Sequence, residues 1–229
     1  MLSKNSTKLM IAAILGCLWA ETSILASPSL QNGDFSSPLS IGWTDYAVVS
    51  ISAGTVVLGE DPIVWAYLEQ EFTIPALSLS LSFDYTPLFE ADGQESFTAS
   101  LLDPISYAPL IPTDADPLDS SETYYFMHDW DDFGGINEIL TDPLYVTMTD
   151  LGAGWTRVTL DLTSLGGVET NALLAFDFVP GFGDSSLDGQ IWIDNATVAV
   201  IPAPPAVVLG LMGLGSLTLI CHRCKRLLS

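Results

Sequence analysis

The chain has 229 residues and sets 28 Asp and Glu against 6 Lys and Arg, a formal charge of −22 at pH 7. Five of the 6 bases lie near the two ends, so residues 27–200 hold every acidic residue except Glu21 and one base, Arg157. A surface this acidic repels phosphate backbones and anionic lipid, which excludes nucleic acid as a partner and leaves a divalent cation, a basic partner or plain solubility.

At the N-terminus, Lys4 and Lys8 precede an apolar stretch from Leu9 to Ala20, and small residues follow as far as Ser27. This is the layout of a secretory signal peptide, with cleavage predicted after Ala26. The stretch is short for a bilayer span and suits the apolar core of a signal helix over residues 1–26. Ile14-Leu15-Gly16-Cys17 is a poor lipoprotein processing site, because the apolar run continues past the cysteine through Leu18 and Trp19.

Residues 27–200 are long enough for one domain with a sizeable core. Their dominant period is two, clearest in Leu77-Ser78-Leu79-Ser80-Leu81-Ser82-Phe83-Asp84-Tyr85, where apolar and polar side chains alternate as in a half-buried strand. Similar runs are predicted over 46–51, 55–58, 64–74, 96–102, 123–127, 144–148, 155–162, 172–179 and 190–200. Gly, Pro, Asp and Ser separate them, and no helical stripe intervenes. The predicted fold is all-β, an antiparallel β-sandwich and specifically a jelly roll. Cys17, Cys221 and Cys224 all lie in the terminal segments, so the domain has no disulfide.

The stretch from Asp103 to Asp142 reads as the least strand-like and most acidic. Trp130, inside His128-Asp129-Trp130-Asp131-Asp132, is the candidate ligand-binding residue: an indole beside carboxylates can stack on a sugar while the acids bond its hydroxyls. Tyr124 and Tyr125 are neighbouring candidates. Catalysis finds little support. His128 is the only histidine of the domain, no Gly-x-Ser-x-Gly elbow occurs, and carboxylates are too numerous for any pair to stand out. No catalytic residue is assigned.

The domain opens with Leu30-Gln31-Asn32-Gly33-Asp34-Phe35 ahead of Gly42-Trp43, and closes with Ile191-Trp192-Ile193-Asp194-Asn195-Ala196-Thr197-Val198. The pair resembles the first and last strands of carbohydrate-binding-module-like jelly rolls. The resemblance implies that opening and closing strands lie side by side and hold a structural Ca2+, with Asp34 and Asp194 as its metal ligands here. Ser36 stands where that family usually has a further acid.

After residue 200 come Ile201-Pro202-Ala203-Pro204-Pro205, an uncharged run from Ala206 to Cys221, and His222-Arg223-Cys224-Lys225-Arg226. The run is a marginal transmembrane helix, and Arg223, Lys225 and Arg226 as its membrane flank would stay cytoplasmic, leaving residues 27–200 outside. Proline-rich entry, glycine-rich apolar run and basic cluster together resemble the PEP-CTERM sorting signal of exported Gram-negative proteins. That resemblance implies recognition by an exosortase, a membrane-embedded cysteine transpeptidase, through Pro202, Ala203 and Pro204; Ala203 replaces the glutamate of the name-giving motif.

The expectation is therefore a signal peptide (1–26), a β-sandwich domain (27–200) and a sorting and anchor segment (201–229). It would be an exported, non-enzymatic protein of the inner membrane or cell surface, serving the envelope or an extracellular polysaccharide matrix. A carbohydrate-binding module is the alternative and a glycoside hydrolase a distant third.

Overall fold

The computed structural model describes residues 30–60, 64–88, 94–111, 123–131, 136–179 and 189–200. The signal helix and the sorting segment both fall outside the described residues, among which no helix is long and apolar enough to cross a membrane.

Among the described residues, twelve strands form two antiparallel sheets. They are β1 (Thr44–Tyr46), β2 (Val49–Ser52), β3 (Thr55–Gly59), β4 (Ala66–Ile74), β5 (Ser78–Leu88), β6 (Gln94–Leu102), β7 (Tyr124–Asp131), β8 (Ile136–Thr141), β9 (Val146–Gly152), β10 (Trp155–Asp161), β11 (Thr170–Val179) and β12 (Gln190–Val200). The first sheet runs β1-β4-β11-β6-β7-β8 and the second β2-β3-β12-β5-β10-β9.

Alternation explains which side of each strand is buried. In β4, Ala66, Leu68, Phe72 and Ile74 are buried while Tyr67, Glu69, Glu71 and Thr73 take the outer face. Leu81, Phe83 and Tyr85 of the second sheet meet Phe97, Phe126 and Phe176 of the first across one aromatic interior, with the Phe83 ring 4.9 Å from Phe176. This is a β-sandwich.

Several expectations need adjustment. Leu77 and Leu79 share the period of the buried Leu81 but are 53% and 42% exposed, and Leu77 stands in a turn at φ 66 ahead of β5 while Ser78 is buried instead. Residues 46–51 are not one strand: Ala47 at φ 65 breaks the chain, sending β1 to one sheet and β2 to the other. The acidic stretch is more regular than expected, since β7 and β8 pair within it from Phe126↔Thr141 to Asp131↔Ile136. Trp130 thus lies in a strand, its backbone opposite Glu95 and Asn137.

Hairpins β2–β3 and β9–β10 turn on Ala53-Gly54 and Ala153-Gly154, with both residues of each turn at positive φ. That is the hand of turn that matches strand twist.

The opening segment is no strand but a knot of local bonds. The Asn32 side chain accepts from Ser37 N and donates to Ser37 O, each at 2.9 Å, and Trp43 Nε1 donates to Asn32 O at 3.2 Å. The buried Gln70 amide then acts as a neighbouring strand would, accepting from Gln31 N and donating to Gln31 O. Ala196 N donates to Gly33 O at 2.8 Å, so opening and closing segments do lie side by side. A Cβ on Gly33 would sit 1.8 Å from the Ala196 carbonyl oxygen, which only glycine avoids.

Candidate functional site: a tyrosine and carboxylate face

The outer face of the first sheet gathers residues from three neighbouring strands. Thr44 stands opposite Glu69 and Tyr46 opposite Tyr67 in the β1–β4 pairing, and Asp177 of β11 stands opposite Tyr67 from the other side. The Tyr46 and Tyr67 rings stack at 5.3 Å and 18°, and Tyr46 remains 49% exposed. Trp65, directly ahead of β4, is 61% exposed. The result is an open aromatic surface at the edge of a sheet, bordered by acids.

Those acids interact. Burial and the charge of Glu69 push the Asp177 carboxyl up to about 6, and burial followed by the charge of Glu71 raises Glu69 as well. The cause is geometric: Glu69 and Asp177 are diagonal partners on one face, with Asp177 the more deeply buried of the two. Desolvation penalises the ionised form and the neighbouring negative charge adds to it. The carboxylates share one sheet face rather than facing each other across a cleft, so no wall holds a scissile bond between them.

The sign of the Asp177 shift gives a pH prediction. Its folded-state pKa lies above the unfolded value, so the native state takes up the proton first and its penalty is complete above pH 6. Stability should rise as pH falls from 6 towards 4, by about 1 kcal/mol per unit from this group. In Asp177→Asn that component should vanish, with thermal midpoints in matched buffers less dependent on pH than in the parent. Equal pH slopes in the two proteins would refute the assignment.

The acidic seam between opening and closing segments lies elsewhere, against the second sheet. Asp34 Oδ1 accepts from Ser36 N and Oγ, and Asp194 Oδ1 accepts from Asn195 N at 2.7 Å within β12, so both carboxylates bond close neighbours in sequence. Asp194 is raised chiefly by burial and further by the charges of Asp84 and Asp34, which brings the two predicted metal ligands into one neighbourhood. Among the described residues, however, no group of three or more His, Cys, Asp or Glu side chains is arranged to hold a metal ion. Two carboxylates are a part of the six to eight oxygens Ca2+ takes, and backbone carbonyls or water would supply the rest.

Beside the seam sits an ion pair that sequence reading missed. Asp84 is buried, and its two oxygens take Arg157 Nε at 2.6 Å and Nη2 at 2.8 Å while Oδ2 also accepts from Asn195 Nδ2 at 3.0 Å. The signal was available: a lone arginine in a strongly acidic domain, in a strand predicted to pair. Register places the two directly opposite in β10 and β5.

Of the other aromatic candidates, Tyr125 is buried, with no hydrogen-bond partner for its hydroxyl among the described residues, and burial raises its pKa. It is core rather than platform. Tyr124 is half-buried, and His128 is buried against Tyr85, whose hydroxyl is 2.9 Å from His128 Nδ1. The Trp130 side chain lies outside the described residues, as do Pro202, Ala203, Pro204, Arg223, Lys225 and Arg226. Nothing in the predicted strand pattern singled out Tyr46 and Tyr67, because their contact is made across two strands that one continuous run had seemed to contradict.

No family model matches the chain and no curated protein is similar to it. Three solved structures with a related outline are carbohydrate-binding modules. One was determined with β-1,4-galactotriose: TM-score 0.36, 14% identity, covering 77% of this chain and 97% of that one. Another is specific for non-crystalline cellulose: TM-score 0.36, 10% identity, covering 76% and 97%. A third is a family 11 module from Clostridium thermocellum with a mixed-linked tetrasaccharide: TM-score 0.33, 11% identity, covering 76% and 95%. Likeness of this degree carries no argument about what this chain binds.

Proposed function

We propose that this is an exported, anchored jelly-roll protein of the envelope or polysaccharide matrix that binds a neutral glycan without cleaving it. The observation that supports this is the partly exposed Tyr46–Tyr67 stack beside Glu69 and Asp177. Tyrosine faces offer apolar contact to the flat side of a pyranose, and carboxylates accept its hydroxyl protons. The same acids repel uronate-rich or sulfated polymers. Trp130 remains a further candidate contact from the sequence alone.

Native affinity gels with a soluble β-glucan, a soluble galactan and a uronate-rich control test the reading. Retardation is expected with a neutral polymer and not with the control, and Tyr67→Ala should weaken it about tenfold, or about 1.4 kcal/mol. No retardation by either neutral polymer, or the same retardation of Tyr67→Ala, would remove the tyrosine face from the account.

Anchoring belongs to the same proposal and rests on the order of segments after residue 200. Intact mass and cell fractionation, with and without an exosortase, test it. Loss of the tail only when the enzyme is present supports sorting through Pro202, Ala203 and Pro204; an uncut tail in both strains refutes it.

A further inference from the structure

Four connections gather at one end of the sandwich: β4–β5, β6–β7, β8–β9 and the link from β10 to β11. Register puts them there, since Ile74 pairs with Thr170, Leu102 with Leu173, Asp161 with Ser80 and Leu160 with Val146. Two of them approach closely, for a Cβ on Gly167 would lie 3.3 Å from Leu77 Cδ2. β12 finishes at this end too. Thr197 Oγ1 stands 3.2 Å from Ser82 Oγ and Asn195 Nδ2 donates to Asp84, so the last residues of β12 lie towards the start of β5.

The three most exposed large apolar side chains among the described residues all belong to these connections: Ile105 at 89%, Leu144 at 81% and Val168 at 66%. Tyr107 and Leu77, in the same connections, are exposed as well. Asp103-Pro104-Ile105 and Asp142-Pro143-Leu144 repeat one device. In each, Asp Oδ1 accepts the backbone N–H two residues on, at 3.0 and 2.9 Å, so the carboxylate is used within its own loop and the apolar side chain forms the tip. Apolar tips concentrated on one end mark a surface that meets something other than water.

The length of chain beyond β12 identifies the partner. Only Ile201 to Pro205 separate the end of β12 from the uncharged run that starts at Ala206, and even fully extended they span at most about 20 Å. We propose, resting on the anchoring reading above, that this end of the domain sits on the surface of a zwitterionic bilayer, with Ile105, Leu144 and Val168 dipping into the headgroup layer beside the point where the tail enters. A tethered surface is presented at high effective concentration, so a few shallow apolar contacts hold the domain against it. The lipid has to be uncharged overall. Asp161 and Glu169 are exposed at this end, and Asp114, Asp116, Asp119 and Glu122 fall in the β6–β7 connection, so an anionic headgroup is repelled. The strands then run along the membrane normal, and Tyr67 of the tyrosine face is held about 23 Å further out than Ile74, clear of the lipid.

The test uses the full chain with Cys17, Cys221 and Cys224 changed to serine, reconstituted in phosphatidylcholine vesicles, with one new cysteine carrying a fluorescent dye. Quenching by nitroxide-bearing lipid should be about fivefold stronger for Ile105→Cys and Leu144→Cys than for Leu151→Cys, an exposed position at the opposite end, about 20 Å away along β10. Read at Val168→Cys, the pair Ile105→Asp and Leu144→Asp should cut quenching about fivefold, and added phosphatidylglycerol should lower it until salt is raised. Anchoring is read separately, by the loss of vesicle flotation in Leu211→Arg/Leu214→Arg. Vesicle-bound protein whose tips are quenched no more than Leu151→Cys overturns the docking and leaves the anchor standing. Tips shielded from aqueous iodide and from the nitroxide lipid alike are covered by the tail or by a second copy, which overturns the docking as well. Flotation indifferent to Leu211→Arg/Leu214→Arg overturns the tail anchor, and the docking with it.

Discussion

Phe83→Ala is expected to lower the unfolding free energy by about 4 kcal/mol. Phe83 is fully buried, and its ring lies within 4.9 to 6.2 Å of the rings of Tyr85, Phe97, Phe126 and Phe176. Three of those neighbours belong to the opposite sheet, so truncation opens a cavity between the sheets that neither can close without moving whole strands. Interiors at this packing density relax only in part, and the lost transfer energy is compounded by the void. Denaturant titration should show a lower midpoint with an unchanged slope; a loss below about 1 kcal/mol would mean that the two sheets close around the site.

Arg157→Ala should cost about 3 kcal/mol, less than a fully buried pair because the Arg157 side chain is 43% exposed and that of Asp84 only 5%. The loss comes from the group left behind: a buried carboxylate whose remaining side-chain donor among the described residues is Asn195 Nδ2. Asp84 also raises the pKa of Arg157, chiefly through their hydrogen bonds, so the cation stays charged throughout the working range. The double variant Asp84→Leu/Arg157→Leu removes both charges and should recover most of the stability. If the single and double variants unfold at the same denaturant concentration, the cost lies in packing and not in an unpaired charge.

These two positions differ in how readable they were. Phe83 sits in the plainest alternating run of the chain, and its burial follows from period alone. Asp84, in the same run, reads as a solvent-facing residue, and its burial depends on Arg157 lying directly opposite, 73 residues away in sequence. Period assigns a face to each residue but says nothing of what covers that face. For the same reason Leu77 and Leu79 have the right period and remain exposed.

The tyrosine face shows the limit more sharply. Tyr46 and Tyr67 stack because a positive-φ Ala47 ends β1 and frees it to pair with β4. An alanine in that conformation gives no composition signal of the kind glycine or asparagine would. The β7–β8 hairpin was hidden differently: its acids suggested a solvated loop, yet strand pairing tolerates polar side chains on an exposed face.

By itself the sequence determined an acidic, disulfide-free, all-β domain between two apolar termini, because charge, cysteine placement and a period of two are local properties of the chain. It also marked the opening and closing motifs that Gly33 and Ala196 join. The tertiary structure alone decided which strands share a sheet, which carboxylates meet and where the lone arginine finds its partner. Each of these depends on contacts between residues far apart in the chain, and their energies depend on burial that no local pattern records.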